Sequence, residues 1–132
     1  MSQLLYYCLL RPLSFLPLSV LYFLSDFLYL IIFKLLKYRK KVVYDNLRNS
    51  FPEKSEKEIQ KIIKEFNSHF CDLLVESIKI FSISKEEAIR RCKVLNPELL
   101  EKHHEQGKNL IVVTGHYNNW EMAAVACSPQ LL

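Results

Sequence analysis

The chain has 132 residues, room for one domain at most, and its two glycines are too few for a domain built mainly on turns and strands, so much of it is expected to be helical. Net charge is +4 and locally concentrated: Lys34, Lys37, Arg39, Lys40 and Lys41 fall together with no acid among them. The cysteines at 8, 71, 92 and 127 show no CxxC and no Cys/His spacing, which argues against a structural zinc site and for reduced thiols.

Residues 13–33, LSFLPLSVLYFLSDFLYLIIF, carry one charge, Asp26. An apolar run of about 20 residues is the length that crosses a bilayer as a helix. The basic cluster that follows marks the cytoplasmic side and would sit among anionic headgroups. Ser14, Ser19, Ser25, Pro17 and Asp26 interrupt the apolar surface, so a helix lying in the interface competes with a spanning one, and a buried soluble helix is a third reading. A cleaved signal peptide fits poorly, because no cation precedes Arg11. Residues 1–36 are therefore expected to form a membrane anchor with a basic flank, with residues 37–132 in the cytoplasm.

Residues 38–50 look helical, and Phe51-Pro52 ends that helix because the residue before a proline is driven out of the α region. Ser55 and Glu58 form a capping box. From there Ile59, Ile62, Ile63, Phe66, Phe70, Leu73, Leu74, Ser77/Ile78 and Phe81 trace a helical stripe, with Lys57, Lys61, Lys64 and Glu65 opposite. His69 beside the stripe reads as a packed or rim residue. Ser84 and Glu87 open a short helix through about Arg91, and residues 92–95 read weakly as a strand. Asn96-Pro97-Glu98 starts another helix, with Leu99 and Leu100 expected inward and Gly107 as its stop; His103 and His104 suit the surface near its C-terminus.

Residues 109–114, NLIVVT, are short, continuous and β-branched, as a strand buried on both faces would be. The order helix, strand, helix, strand begins an α/β layered unit. In open α/β sheets functional groups gather beyond the carboxyl ends of strands, where His116 would sit. Glu121 would begin the next helix, over residues 120–128, with Asn118 or Asn119 as its cap. Folding back, the carboxylate can accept one imidazole N–H, fix the tautomer and leave the other nitrogen as a general base. With no serine or cysteine nearby, the nucleophile would belong to the substrate, as in acyl transfer to an alcohol. His-x4-Glu is a weak motif by itself. The structural alternative is a His116 that caps a helix whose dipole Glu121 feels.

Two stretches resemble a known family: VVYDNLRNSFPEKSEKEIQKIIKEFNSHFCDLLVE, which matches its approach to a long helix and a following glutamate, and GKNLIVVTGHYNNWEMAA, in which Gly115, His116, Tyr117, Trp120 and Glu121 match a signature loop together. With the N-terminal hydrophobic helix, the chain is similar over nearly its whole length to bacterial lipid A biosynthesis acyltransferases of the lauroyl/myristoyl type, within the lysophospholipid acyltransferase superfamily. The resemblance implies an α/β domain of the glycerol-phosphate-acyltransferase kind, with His116 as base and Glu121 as its partner. Gly115, Tyr117, Asn119 and Trp120 are expected to line the substrate, and Lys34, Lys37, Arg39, Lys40 and Lys41 to face the membrane. It further implies an acyl carrier protein thioester as donor, a hydroxyl of a lipid A precursor or related glycolipid as acceptor, and residence at the bacterial inner membrane facing the cytoplasm. No metal, dissociable cofactor or nucleic-acid partner is implied. Members are longer than this chain, and their later motifs grip the acceptor, so the chain is expected to be the truncated N-terminal part of the α/β domain and inactive alone. The reading from another class is an inactive membrane-tethered module that docks a partner helix on the stripe of residues 59–81.

Overall fold

The computed structural model describes residues 2–115 and 117–131. Chain contacts divide it into two compact units, one of Met1–Leu16 with Glu76–Leu132 and the other of Pro17–Val75.

In the first unit, α1 (Ser2–Leu5), a π-helical stretch Tyr6–Leu10 and α2 (Arg11–Ser14) follow without a break. The wide turn comes just before Pro12, which lacks the N–H that a regular helical ladder needs. The last carbonyls of α2 are capped from outside. Lys79 Nζ donates to Ser14 O at 2.9 Å and to Leu16 O at 3.1 Å, and Ser82 Oγ also donates to Ser14 O. A cation suits that helix end.

In the second unit, Pro17 sets the start of the apolar helix. It adopts φ −56°, ψ 145°, and α3 (Leu18–Tyr29) begins after it, continuing as a π-helical stretch Leu30–Leu35. The apolar helix is therefore Leu18–Leu35, shorter than the run 13–33 suggests at its N-terminal side. Its buried residues are Leu21 and Ser25; Ser25 Oγ donates to Asp72 Oδ1. Phe33 meets Phe70 edge-on at 6.2 Å. A turn leads to α4 (Lys40–Ser50), which stops at Phe51 as Pro52 requires.

The longest element is α5 (Glu56–Lys79), 24 residues that contribute to both units. Its capping box is formed: Ser55 N donates to Glu58 Oε2 at 2.8 Å, and Glu58 N to Ser55 Oγ at 3.4 Å. The Ser55 hydroxyl bond holds the Glu58 carboxyl below its usual pKa. Its stabilisation is thus present above the ordinary glutamate value and lost as acid titrates the depressed folded value. Of the stripe, Ile59 and Ile63 are buried while Phe66, Leu74 and Phe81 stay exposed; α5 also buries Cys71 and Val75, which lie outside the stripe as the sequence reads it.

α6 (Lys85–Arg91) has Ser84 as its cap, accepting from Glu87 N at 3.2 Å. α7 (Pro97–Glu105) ends on Gly107 at φ +68°, where Gly107 N reaches His104 O at 2.8 Å and Lys108 N reaches His103 O at 3.1 Å. That pair of bonds is a Schellman motif, which favours a residue without Cβ. Leu99 is exposed rather than inward. α8 (Trp120–Leu131) packs on α6 through Ala88, Met122 and Ala126, with Ile80, Ile83 and Cys92 around them. Burial raises the pKa of the Cys127 thiol, and neighbouring Cys92 adds to the shift.

The expected α/β architecture is not what the chain forms. Among the described residues there is no strand and no sheet: the architecture is helical. A strand exists only by pairing its backbone groups with a neighbour. The groups of residues 92–94 that could have opened a ladder are taken by a side chain: Gln130 Nε2 donates to Cys92 O at 2.9 Å, and Val94 N donates to Gln130 Oε1 at 3.0 Å. Residues 109–114 join no ladder, with Ile111 91% and Val113 88% exposed. Gln130 Nε2 also donates to Ala126 O at 2.7 Å within α8. Gln130→Ala is therefore expected to destabilise this unit by about 1–3 kcal/mol, read as a lower urea midpoint, since partly buried backbone groups lose their partners.

Candidate active site

The loop ahead of α8 is built by local hydrogen bonds. Tyr117 N donates to Gly115 O at 2.9 Å, and Asn118 takes the left-handed φ of 54° that asparagine tolerates better than most residues. Asn119 is the cap, with its Oδ1 accepting from Met122 N at 2.8 Å. The sequence left Asn118 and Asn119 open as caps; Asn119 fills the role.

Glu121 lies in the first turn of α8, where the helix dipole favours a carboxylate. Ser77 Oγ, near the end of α5, donates to Glu121 Oε2. One residue earlier on α5, Glu76 Oε2 accepts from Asn119 Nδ2. These two bonds tie the end of α5 to the start of α8 and hold the Glu121 carboxylate in place.

Of the residues named from the sequence, Gly115, Tyr117 and Trp120 are solvent-facing, and a side chain at Gly115 would meet nothing within 4 Å. Asn119 is half-buried and engaged in capping and in the bond to Glu76. His116 lies outside the described residues. The basic residues Lys34, Lys37, Arg39, Lys40 and Lys41 are all exposed, and Lys41 pairs with Asp45 at 2.6 Å.

The sequence marks Ser77 only as an apolar-stripe position, and the structure gives it the bond to Glu121. A hydroxyl at such a position needs an acceptor. That was the available signal. Glu76 stood in the sequence only as the glutamate closing the long-helix motif, and the structure gives it Asn119.

A loop of this layout stands on a chain of acyltransferase class, because a family model matches residues 1–130. That family is described as bacterial lipid A biosynthesis acyltransferase, and the chain belongs to it. No curated protein and no solved structure matches the chain.

Proposed function

We propose that the chain carries the general-base half of an O-acyl transfer from an acyl carrier protein thioester to a hydroxyl of a lipid A precursor or related glycolipid. His116 takes the hydroxyl proton as the oxygen attacks the thioester carbonyl. The C–S bond then breaks and the imidazolium returns the proton to the leaving thiolate. Glu121 orients the ring and stabilises its charged form. The observation that carries this reading is the Ser77–Glu121 bond. It engages one carboxylate oxygen, in a helix first turn five positions after His116, and leaves the other oxygen's lone pairs for an imidazole N–H. Gly115, Tyr117 and Trp120, all solvent-facing, would meet the substrates. The deciding experiment assays the intact protein with acyl carrier protein thioester and a lipid A precursor. Acylated glycolipid is the expected product, and its absence with every thioester length tried would overturn the reading.

The same proposal places the protein at the cytoplasmic face of the bacterial inner membrane, held by Leu18–Leu35. That helix is long and apolar enough to cross a membrane by length and composition, at about 27 Å for an α-helical rise. Its contacts favour lying in the interface. Ser25 with Asp72 and Phe33 with Phe70 set it against α5, the helix that carries Lys61, Lys64 and Glu65, and Phe33 and Lys34 share a cleft with Lys64. Spanning would draw those charges toward hydrocarbon, at about 2.5–3.5 kcal/mol each. A docking module that offers the α5 stripe is less well supported, since Ile59 and Ile63 of that stripe are already buried within the chain and Phe70 packs on Phe33.

A further inference from the structure

The turn between the Leu30–Leu35 stretch and α4 gathers positive charge, of which Lys34 lies over the Tyr29 ring at 5.9 Å and Arg39 over the Tyr38 ring at 5.6 Å. A cleft of about 340 Å³, a volume typical of small-ligand sites, is lined by Lys34, Lys37, Lys40 and Lys64 and by no carboxylate. Lysines just outside it are paired: Lys41 bonds Asp45 at 2.6 Å and Lys61 lies 3.8 Å from Glu65. Among the described residues no acid pairs with any of the four that line the cleft. Like charges held together without an acid repel one another, and an anion between them reverses the sign of that interaction.

Two further observations sit in the same place. Lys37 and Arg39 have φ of 51° and 47°, a left-handed backbone that side chains of this kind rarely adopt. Such strain clusters at ligand clamps, where the surroundings over-determine it. The cleft also contains Asn67, whose buried Oδ1 has no hydrogen-bond partner. A buried acceptor in that state calls for a donor. Phe33 and Tyr38 line both this cleft and a neighbouring one of about 260 Å³ walled by Val42, Phe66 and Phe70. One molecule can thus set a charged head in the first and apolar atoms in the second.

We infer that this cleft binds the headgroup of an anionic phospholipid bearing a free hydroxyl, phosphatidylglycerol being the simplest, with its phosphate on the lysines and its hydroxyl donating to Asn67. The lipid source is favoured because the helix leading into the cleft exposes Phe23, Phe27, Leu30 and Leu35. The site uses only residues of the Pro17–Val75 unit, requires neither His116 nor Glu121, and goes beyond the acyl-transfer reading.

The test measures binding of dihexanoyl phosphatidylglycerol to the intact, detergent-purified protein by calorimetry. Lys37→Gln/Lys64→Gln is expected to weaken it about tenfold or more, as the loss of two charge-assisted contacts implies, against less than about threefold for the equally charged control Lys41→Gln/Lys61→Gln. Equal losses would reduce the effect to general charge and overturn the site. Lys37→Gly relieves the left-handed backbone, so it should melt no lower than the wild type while still binding more weakly; unchanged binding overturns the assignment. Asn67→Leu is expected to erase a preference for phosphatidylglycerol over phosphatidic acid, and a retained preference removes the hydroxyl contact. Displacement of the lipid by equimolar inorganic phosphate would assign the cleft to a soluble anion instead.

Discussion

Replacing Glu121 by glutamine in the intact protein is expected to cut acyl transfer by about 10²-fold or more, the scale of a lost acid–base partner. Glutamine keeps the size of the side chain and can still accept from Ser77, so the tie between α5 and α8 survives. What disappears is the negative charge that stabilises a protonated imidazole. Melting should stay near wild type, so lost activity reports chemistry and not folding. His116→Ala should lose at least as much. Ser77→Ala probes positioning: the carboxylate remains but is no longer held, so kcat should fall by less than in Glu121→Gln while KM for the thioester holds. If Glu121→Gln transferred acyl groups at the wild-type rate, the general-base assignment would be wrong.

Helix boundaries were legible because their signals are local. Ser55 with Glu58, Ser84 with Glu87, and Gly107 after its helix each satisfy the backbone within a few residues of themselves, and the structure shows those helices starting and stopping there; Asn96 stands at the cap position before Pro97 but makes no side-chain cap bond. Strands carry no such guarantee. The β-branched run at 109–114 states a preference, but a ladder needs a second segment, and Gln130 occupies the backbone of residues 92–94 that might have supplied it. No spacing rule links Gln130 to Val94, or Ser77 to Glu121, 44 positions apart. Both bonds follow from how α8 lands, which is a property of packing. Pro17 reads in the sequence as an interruption of the apolar run, and in the structure it is the boundary at which the apolar helix begins.

How α8 lands rests on its small residues, and this gives the second large effect. Ala88 on α6 and Ala126 on α8 are both fully buried, beside Met122 and lined by Ile80 and Ile83. A methyl at each position lets the two helices approach closely. Ala126→Asp places a carboxylate in that apolar contact with no cation to pair it, at a cost on the order of 3 kcal/mol or more. The same charge at Ala124, two residues earlier and exposed, should change stability by less than about 0.5 kcal/mol. Urea unfolding of the two variants separates burial from charge. The consequence for chemistry runs through the helix. Once α8 leaves α6, Asn119 and Glu121 at its start lose Glu76 and Ser77, and the carboxylate is no longer aimed. Ala126→Asp is therefore expected to cut transfer and lower the unfolding midpoint together, whereas Glu121→Gln cuts transfer alone. A variant at 126 that melted early yet kept full activity would mean that the position of Glu121 does not depend on this packing.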